Sequence, residues 1–88
     1  MRYAIRIKES AARELQRIER SDRERLIAAI DRLAENPFAG SALKGELRGL
    51  RRIRVGDYRL LYEVRERDLV VLVLRAAHRR EAYRRRAR

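Results

Sequence analysis

The chain lacks cysteine, threonine and tryptophan, and its 88 residues include one histidine and one proline. Without cysteine there is no disulfide framework, no thiol nucleophile and no thiolate metal site. A single histidine excludes a multi-histidine metal centre. Serine occurs only at Ser10, Ser21 and Ser41, all in expected cap or loop positions, which argues against a Ser-His-Asp hydrolase. No apolar run approaches the roughly 20 residues of a membrane span, and the N-terminus lacks the apolar core of a signal peptide. A cytoplasmic protein is expected. Internal repeats, low-complexity tracts and interdomain linkers are also missing, so residues 1–88 read as a single small domain with one modest core.

Positive charge is what the chain has in excess. Lys and Arg number 24 against 13 Asp and Glu, a formal charge of +11, and every basic residue except Lys8 and Lys44 is arginine. Such an imbalance favours a polyanionic partner: nucleic acid, a ribosome or an acidic protein.

The most informative stretch is R-R-I-R-V-G-D-Y-R-L-L-Y-E-V, residues 51–64. Gly56-Asp57 lies between two apolar, β-prone runs, and a two-residue loop opened by glycine is a hairpin signal. The turn predicts the register: Val55 opposite Tyr58, Arg54 opposite Arg59, Ile53 opposite Leu60, Arg52 opposite Leu61. Ile53, Val55, Tyr58, Leu60, Tyr62 and Val64 then share a core face. The other face carries Arg52, Arg54 and Arg59, with Leu61 and Glu63. Two arginines directly across a strand pair repel each other, and neither can shed its proton. A phosphate bound between their planar forks would relieve the conflict. A merely solvated basic face is the alternative.

Elsewhere, alternation over residues 2–7 predicts a half-buried strand, with Tyr3, Ile5 and Ile7 on one side. Ser10 is the expected N-cap of a first helix burying Ala11, Leu15 and Ile18. Ser21-Asp22-Arg23-Glu24 matches a capping box for a second, burying Leu26, Ile27, Ile30, Leu33 and Ala34 and ended by Asn36-Pro37. Residues 38–49 read as a loop anchored by Leu43 and Leu47. A turn at residues 65–68 leads into L-V-V-L-V-L, residues 69–74, an expected central strand covered on both faces. Ala76-Ala77-His78 is expected to leave the sheet, and residues 79–88 to form a short helix or tail. The predicted fold is α+β: a four-stranded, mainly antiparallel sheet with an N-terminal helix pair on one face, in the order β-α-α-β-β-β.

Chemistry on phosphate needs charge stabilisation and proton transfer. Arg52, Arg54 and Arg59 can hold phosphate. Arg79 and Tyr83, just past the apolar strand, can reach the same face, Tyr83 as proton donor or base-stacking platform, or simply as a cap over the core edge. Histidine is the side-chain type best suited to proton transfer near neutral pH, but His78 reads better as a hinge residue bonded to backbone. Tyr58 and Tyr62 belong with the core, and Asp57 with the turn. Arg84, Arg85 and Arg86 form either a solvated run or an RNA-phosphate patch. No obvious general base is present: Glu63 falls on the basic face and Glu46 in the preceding loop. Neither has a metal-ligand partner at useful spacing, so any reaction is expected to be metal-free and without cofactor.

In these segments the chain resembles the RelE/ParE toxin superfamily of bacterial type II toxin–antitoxin systems. The resemblance covers nearly the whole length. It rests on the first strand and helix pair, N-P at 36–37, L-K-G-E-L-R-G at 43–49, and above all R-I-R-V-G-D-Y-R-L-L-Y at 52–62 and A-H-R-R-E-A-Y at 77–83. Similarity to the RelE branch implies a ribosome-dependent mRNA interferase that cuts the A-site codon by attack of a ribose 2′-OH on its own phosphodiester, leaving a 2′,3′-cyclic phosphate and a 5′-OH. By motif position the implied site is Arg52, Arg54, Arg59, Arg79 and Tyr83. Where the best-known members have a lysine proposed as general base, this chain has Arg52, which suits a phosphate clamp better than a base. The base would then be a carboxylate or a ribosomal group, or be absent. The resemblance also implies a cognate acidic antitoxin that folds over the toxin, and promoter DNA contacted only through that complex. The ParE-like branch, which poisons DNA gyrase, and a catalytically silent RNA- or antitoxin-binding module are the alternatives.

Overall fold

A computed structural model describes residues 2–81. The first strand, β1 (Ala4–Ile7), runs directly into helix α1 (Glu9–Gln16), so Ser10 lies inside the first turn and the cap position falls to Lys8. Glu9 in that turn suits the positive end of the helix dipole. Helix α2 (Arg20–Leu33) also starts earlier than the capping box predicts. Glu19 holds the cap position, and the Ser21 hydroxyl donates to its carboxylate at 2.6 Å instead of capping a later amide. That hydrogen bond is the main reason the Glu19 carboxyl sits below its ordinary value. Glu24 pairs with Arg20 at 3.1 Å, one turn away.

Strand β2 (Ser41–Ala42) is a two-residue edge strand within the stretch expected to be loop, and makes the sheet five-stranded rather than four. A short 3₁₀ turn (Gly45–Leu47) follows, then β3 (Arg51–Val55), β4 (Tyr58–Arg65) and β5 (Val70–His78). The sheet order is β1-β5-β4-β3-β2, with β1 parallel to β5 and the other neighbours antiparallel. The apolar run is therefore central, as its composition predicts, but the helices cover only one of its faces: Val71 and Val73 join the core, while Val70, Leu72 and Leu74 remain partly exposed.

The core lies between that face and the helix pair. Ala11, Leu15, Ile18, Leu26, Ala29, Ile30 and Leu33 meet Leu60, Tyr62, Val71, Val73 and Ala76. Ile53, Val55, Tyr58 and Val64 pack at its margin, as the hairpin alternation predicts. Ile27 does not join them and is 44% exposed. The buried stripe of α2 runs through Leu26, Ala29, Ile30 and Leu33, and Ile27 is one residue, about 100°, round from it.

Tyr62 ties the loop before β2 to the sheet. Its hydroxyl donates to the Pro37 carbonyl at 2.8 Å and accepts the Gly40 N–H at 2.9 Å, with the ring fully buried. Gly40 leaves no space for a side chain, because a Cβ there would lie 2.5 Å from the Arg52 carbonyl oxygen. Arg51 reinforces the clasp, donating to the Gly40 carbonyl at 2.7 Å with its guanidinium 5.2 Å from the Phe38 ring centre.

A candidate phosphate-binding face

The β3–β4 pairing matches the register read from the turn: Val55 with Tyr58, Arg54 with Arg59, Ile53 with Leu60, Arg52 with Leu61. Gly56 has φ +60°, the left-handed conformation that makes glycine the natural opener of this turn. Arg52, Arg54 and Arg59 consequently share the sheet face opposite the helices. Arg54 is exposed, Arg52 and Arg59 are half-buried, and the last two make further contacts within the molecule.

Strand β5 extends this face through an irregularity that sequence reading missed. Leu61 pairs with Arg75 but Tyr62 pairs with Val73, so Leu74 is an extra residue and the strand bulges. Had strict alternation continued, Val71, Val73, Arg75 and Ala77 would all point at the helices. The bulge reverses the phase. Ala76 enters the core, and Arg75 and Ala77 turn to the open side. It also explains why Ala76–His78 remain in the sheet rather than leaving it: the re-phased segment pairs with β4 as far as Tyr58–His78. Two rows of partners cross the open face, Arg52–Leu61–Arg75 and Arg54–Arg59–Ala77. Leu61 and Ala77 are buried in these rows although neither belongs to the helix-side core.

Arg79 follows at the end of β5. Its N–H donates to the Asp57 carbonyl at 2.7 Å, which carries the pairing one residue beyond the strand and ties Arg79 to the hairpin turn beside the Arg54–Arg59 row. Tyr83 and the run Arg84 to Arg86 lie outside the described residues. Asp57 is a turn residue, as expected.

Glu63 extends along β4 away from the arginine rows and is paired with Arg65 at 3.2 Å. Glu46 is exposed in the 3₁₀ turn. His78 lies on the helix side, edge-on to Tyr58 with ring centres 5.6 Å apart, and its Nδ1 accepts the Arg80 N–H at 3.3 Å. It is bonded to backbone as expected, and it lines a cleft of about 290 Å³ with Glu14, Ile18, Tyr58 and Ala77, at the end of β5 where the arginine rows meet the strand edge. Among the described residues no three His, Asp or Glu side chains cluster as a metal-ligand set.

Glu14 is the other feature without a local signal. From α1 its Oε2 accepts from Arg75 Nε at 3.0 Å and faces Nη2 at 3.0 Å, while its Oε1 accepts the Ala76 N–H at 2.8 Å. It takes up the edge of β5 just where β1 has ended at Ile7. The L-V-V-L-V-L run has no polar alternation from which the bulge could be read, and Glu14 and Arg75 are 61 residues apart.

The sequence matches the family described as the ParE toxin of type II toxin–antitoxin system, parDE, over residues 5–83. It is 33% identical over 91 residues to the Mycobacterium tuberculosis protein named Toxin RelG, with 97% of this chain and all of that protein covered. The fold is similar to a toxin–antitoxin complex, RelBE2, from the same organism at TM-score 0.83 and 30% identity, covering 89% of this chain and 99% of that one. An archaeal RelE–RelB complex from Pyrococcus horikoshii gives TM-score 0.75 and 28% identity, covering 93% of this chain and all of that one.

Proposed function

This chain belongs to the RelE/ParE family of type II toxin–antitoxin toxins, and from that membership we propose that it is a ribosome-dependent mRNA interferase. The observation that carries the reading is the open face: Arg52, Arg54 and Arg59, held by the hairpin register on one side of the sheet, with Arg79 tied to the same turn. These are four of the five positions to which the resemblance assigns the site, the fifth being Tyr83.

The chemistry follows from what arginine can do. The ribose 2′-OH of the A-site codon attacks the adjacent phosphorus in line, and the 5′-oxygen leaves. Negative charge grows on the non-bridging oxygens, and donors already in place stabilise it without reorganising. Arg54 and Arg59, opposite each other, bracket the phosphate; Arg79 approaches from the turn. Arg52 supplies charge and a planar fork rather than a proton acceptor, and acts as a clamp. The 2′-OH proton needs another acceptor. Glu63, the carboxylate on this face, is paired with Arg65; we assign the role to a ribosomal group. Tyr83 belongs to the site by motif position alone, as proton donor to the leaving oxygen or as a base-stacking platform. An acidic antitoxin is the proposed partner, drawn to the +11 chain by charge.

Primer extension on a defined mRNA in a purified translation system tests the reading. Cuts within the A-site codon that require ribosomes are expected. The match to the ParE description supports one second reading, inhibition of DNA gyrase. Intact mRNA together with loss of supercoiling at low toxin concentration would replace the first reading with the second. Salt-sensitive RNA binding without either effect would leave a binding module.

A further inference from the structure

No motif marks Arg75, yet it lies in the same row of the open face as Arg52, with Leu61 between them. We propose that Arg75 is a further phosphate-binding residue of this face and that Glu14 is the positioning residue that holds it there. The inference rests on the RNA reading above.

A guanidinium has five N–H donors in a planar fork. Glu14 Oε2 takes up the Nε edge, at 3.0 Å from both Nε and Nη2. The N–H groups on the far edge of the fork remain for a ligand, and the Arg75 side chain is 34% exposed. Glu14 is itself held at its other oxygen by the Ala76 N–H, at 2.8 Å. One carboxylate therefore fixes two things. It anchors the backbone immediately after the bulge, which sets the phase that brings Arg75 to the open side, and it sets the direction of the guanidinium. The rotamer freedom that a long arginine normally loses on binding is already lost in folding. Arg52 and Arg75 are two strand spacings apart, about 10 Å. That separation suits contacts to neighbouring phosphates of one strand rather than a shared grip on a single group.

The test is the salt dependence of binding a labelled single-stranded RNA oligonucleotide to the full chain. Each phosphate contact contributes about 0.7 to the log–log slope for single strands. The double variant Glu14→Gln/Arg75→Met keeps the net charge and keeps an oxygen acceptor for the Ala76 N–H. Its slope should fall by about 0.7, with binding weakened roughly fivefold at low salt. An unchanged slope overturns the role of Arg75. Glu14→Gln alone raises the net charge by one, yet should bind several-fold more weakly because Arg75 loses its orientation; tighter binding overturns the positioning role of Glu14. Arg59→Met separates the two levels. If its slope falls while that of the double variant does not, the RNA reading stands and this inference fails. If neither slope changes, or the wild-type chain does not bind the oligonucleotide, this inference fails, and ribosome-dependent A-site cleavage in the primer-extension assay decides separately whether the RNA reading stands. Should the double variant not fold, as judged by its circular dichroism spectrum, Arg75→Gln with Glu14 intact carries the same slope prediction.

Discussion

Arginine at position 52 restricts what the open face can do. In the proposed role of clamp it would supply charge and two-pronged geometry but no proton acceptor. Arg52→Lys should therefore retain most A-site cleavage with an unchanged pH–rate profile; a new basic limb in that profile would show that lysine there adds a base. Arg59, directly opposite Arg54, is expected to matter more. Arg59→Ala should lower single-turnover cleavage by about 10²-fold, the usual cost of removing one preorganised donor. Full activity in that variant would move the site off this face. Both positions were legible in the sequence because a two-residue turn specifies which residues face each other within a few positions on either side. Arg75 was not, since its side of the sheet depends on a bulge inside a uniformly apolar run.

At the scale of elements, the clasp between Tyr62 and the loop before β2 bears most directly on the hairpin. Tyr62→Phe leaves the Pro37 carbonyl and the Gly40 N–H without their hydroxyl partner in a buried setting. A loss of about 1–3 kcal/mol in urea denaturation is expected. Gly40→Ala should cost at least as much, because the added Cβ meets the backbone of β3 and the hydroxyl of the fully buried Tyr62, neither of which has room to give way. The start of α2 gives a pH prediction. The Glu19 carboxyl is lowered from its ordinary value of 4.5, chiefly by the Ser21 hydroxyl. Its contribution to stability is present above that value and lost as pH falls through the lowered one. An NMR titration should find Glu19 below the ordinary range in the wild type and closer to it in Ser21→Ala. The elements themselves were largely readable from periodicity. Their starts were not: a hydroxyl two residues past Glu19 bonds back to that carboxylate as readily as forward to an amide, and spacing alone does not choose between them.

For the molecule as a whole, the +11 charge sets how partners arrive. Association with an acidic antitoxin should slow steeply as salt rises from 50 to 500 mM while dissociation changes little, measured by stopped flow; a salt-independent on-rate would mean that apolar contacts steer the encounter. Local chain chemistry dictated the α+β class, the helix pair and the arginine pair across the hairpin, because turns and periodicities act over a few residues. The strand order, the two-residue edge strand, the bulge and the Glu14–Arg75 clamp were settled only when distant segments met. A carboxylate on α1 reaches β5 across 61 residues of chain. Such a contact depends on how the sheet closes against the helices, and neither residue carries a local sign of it.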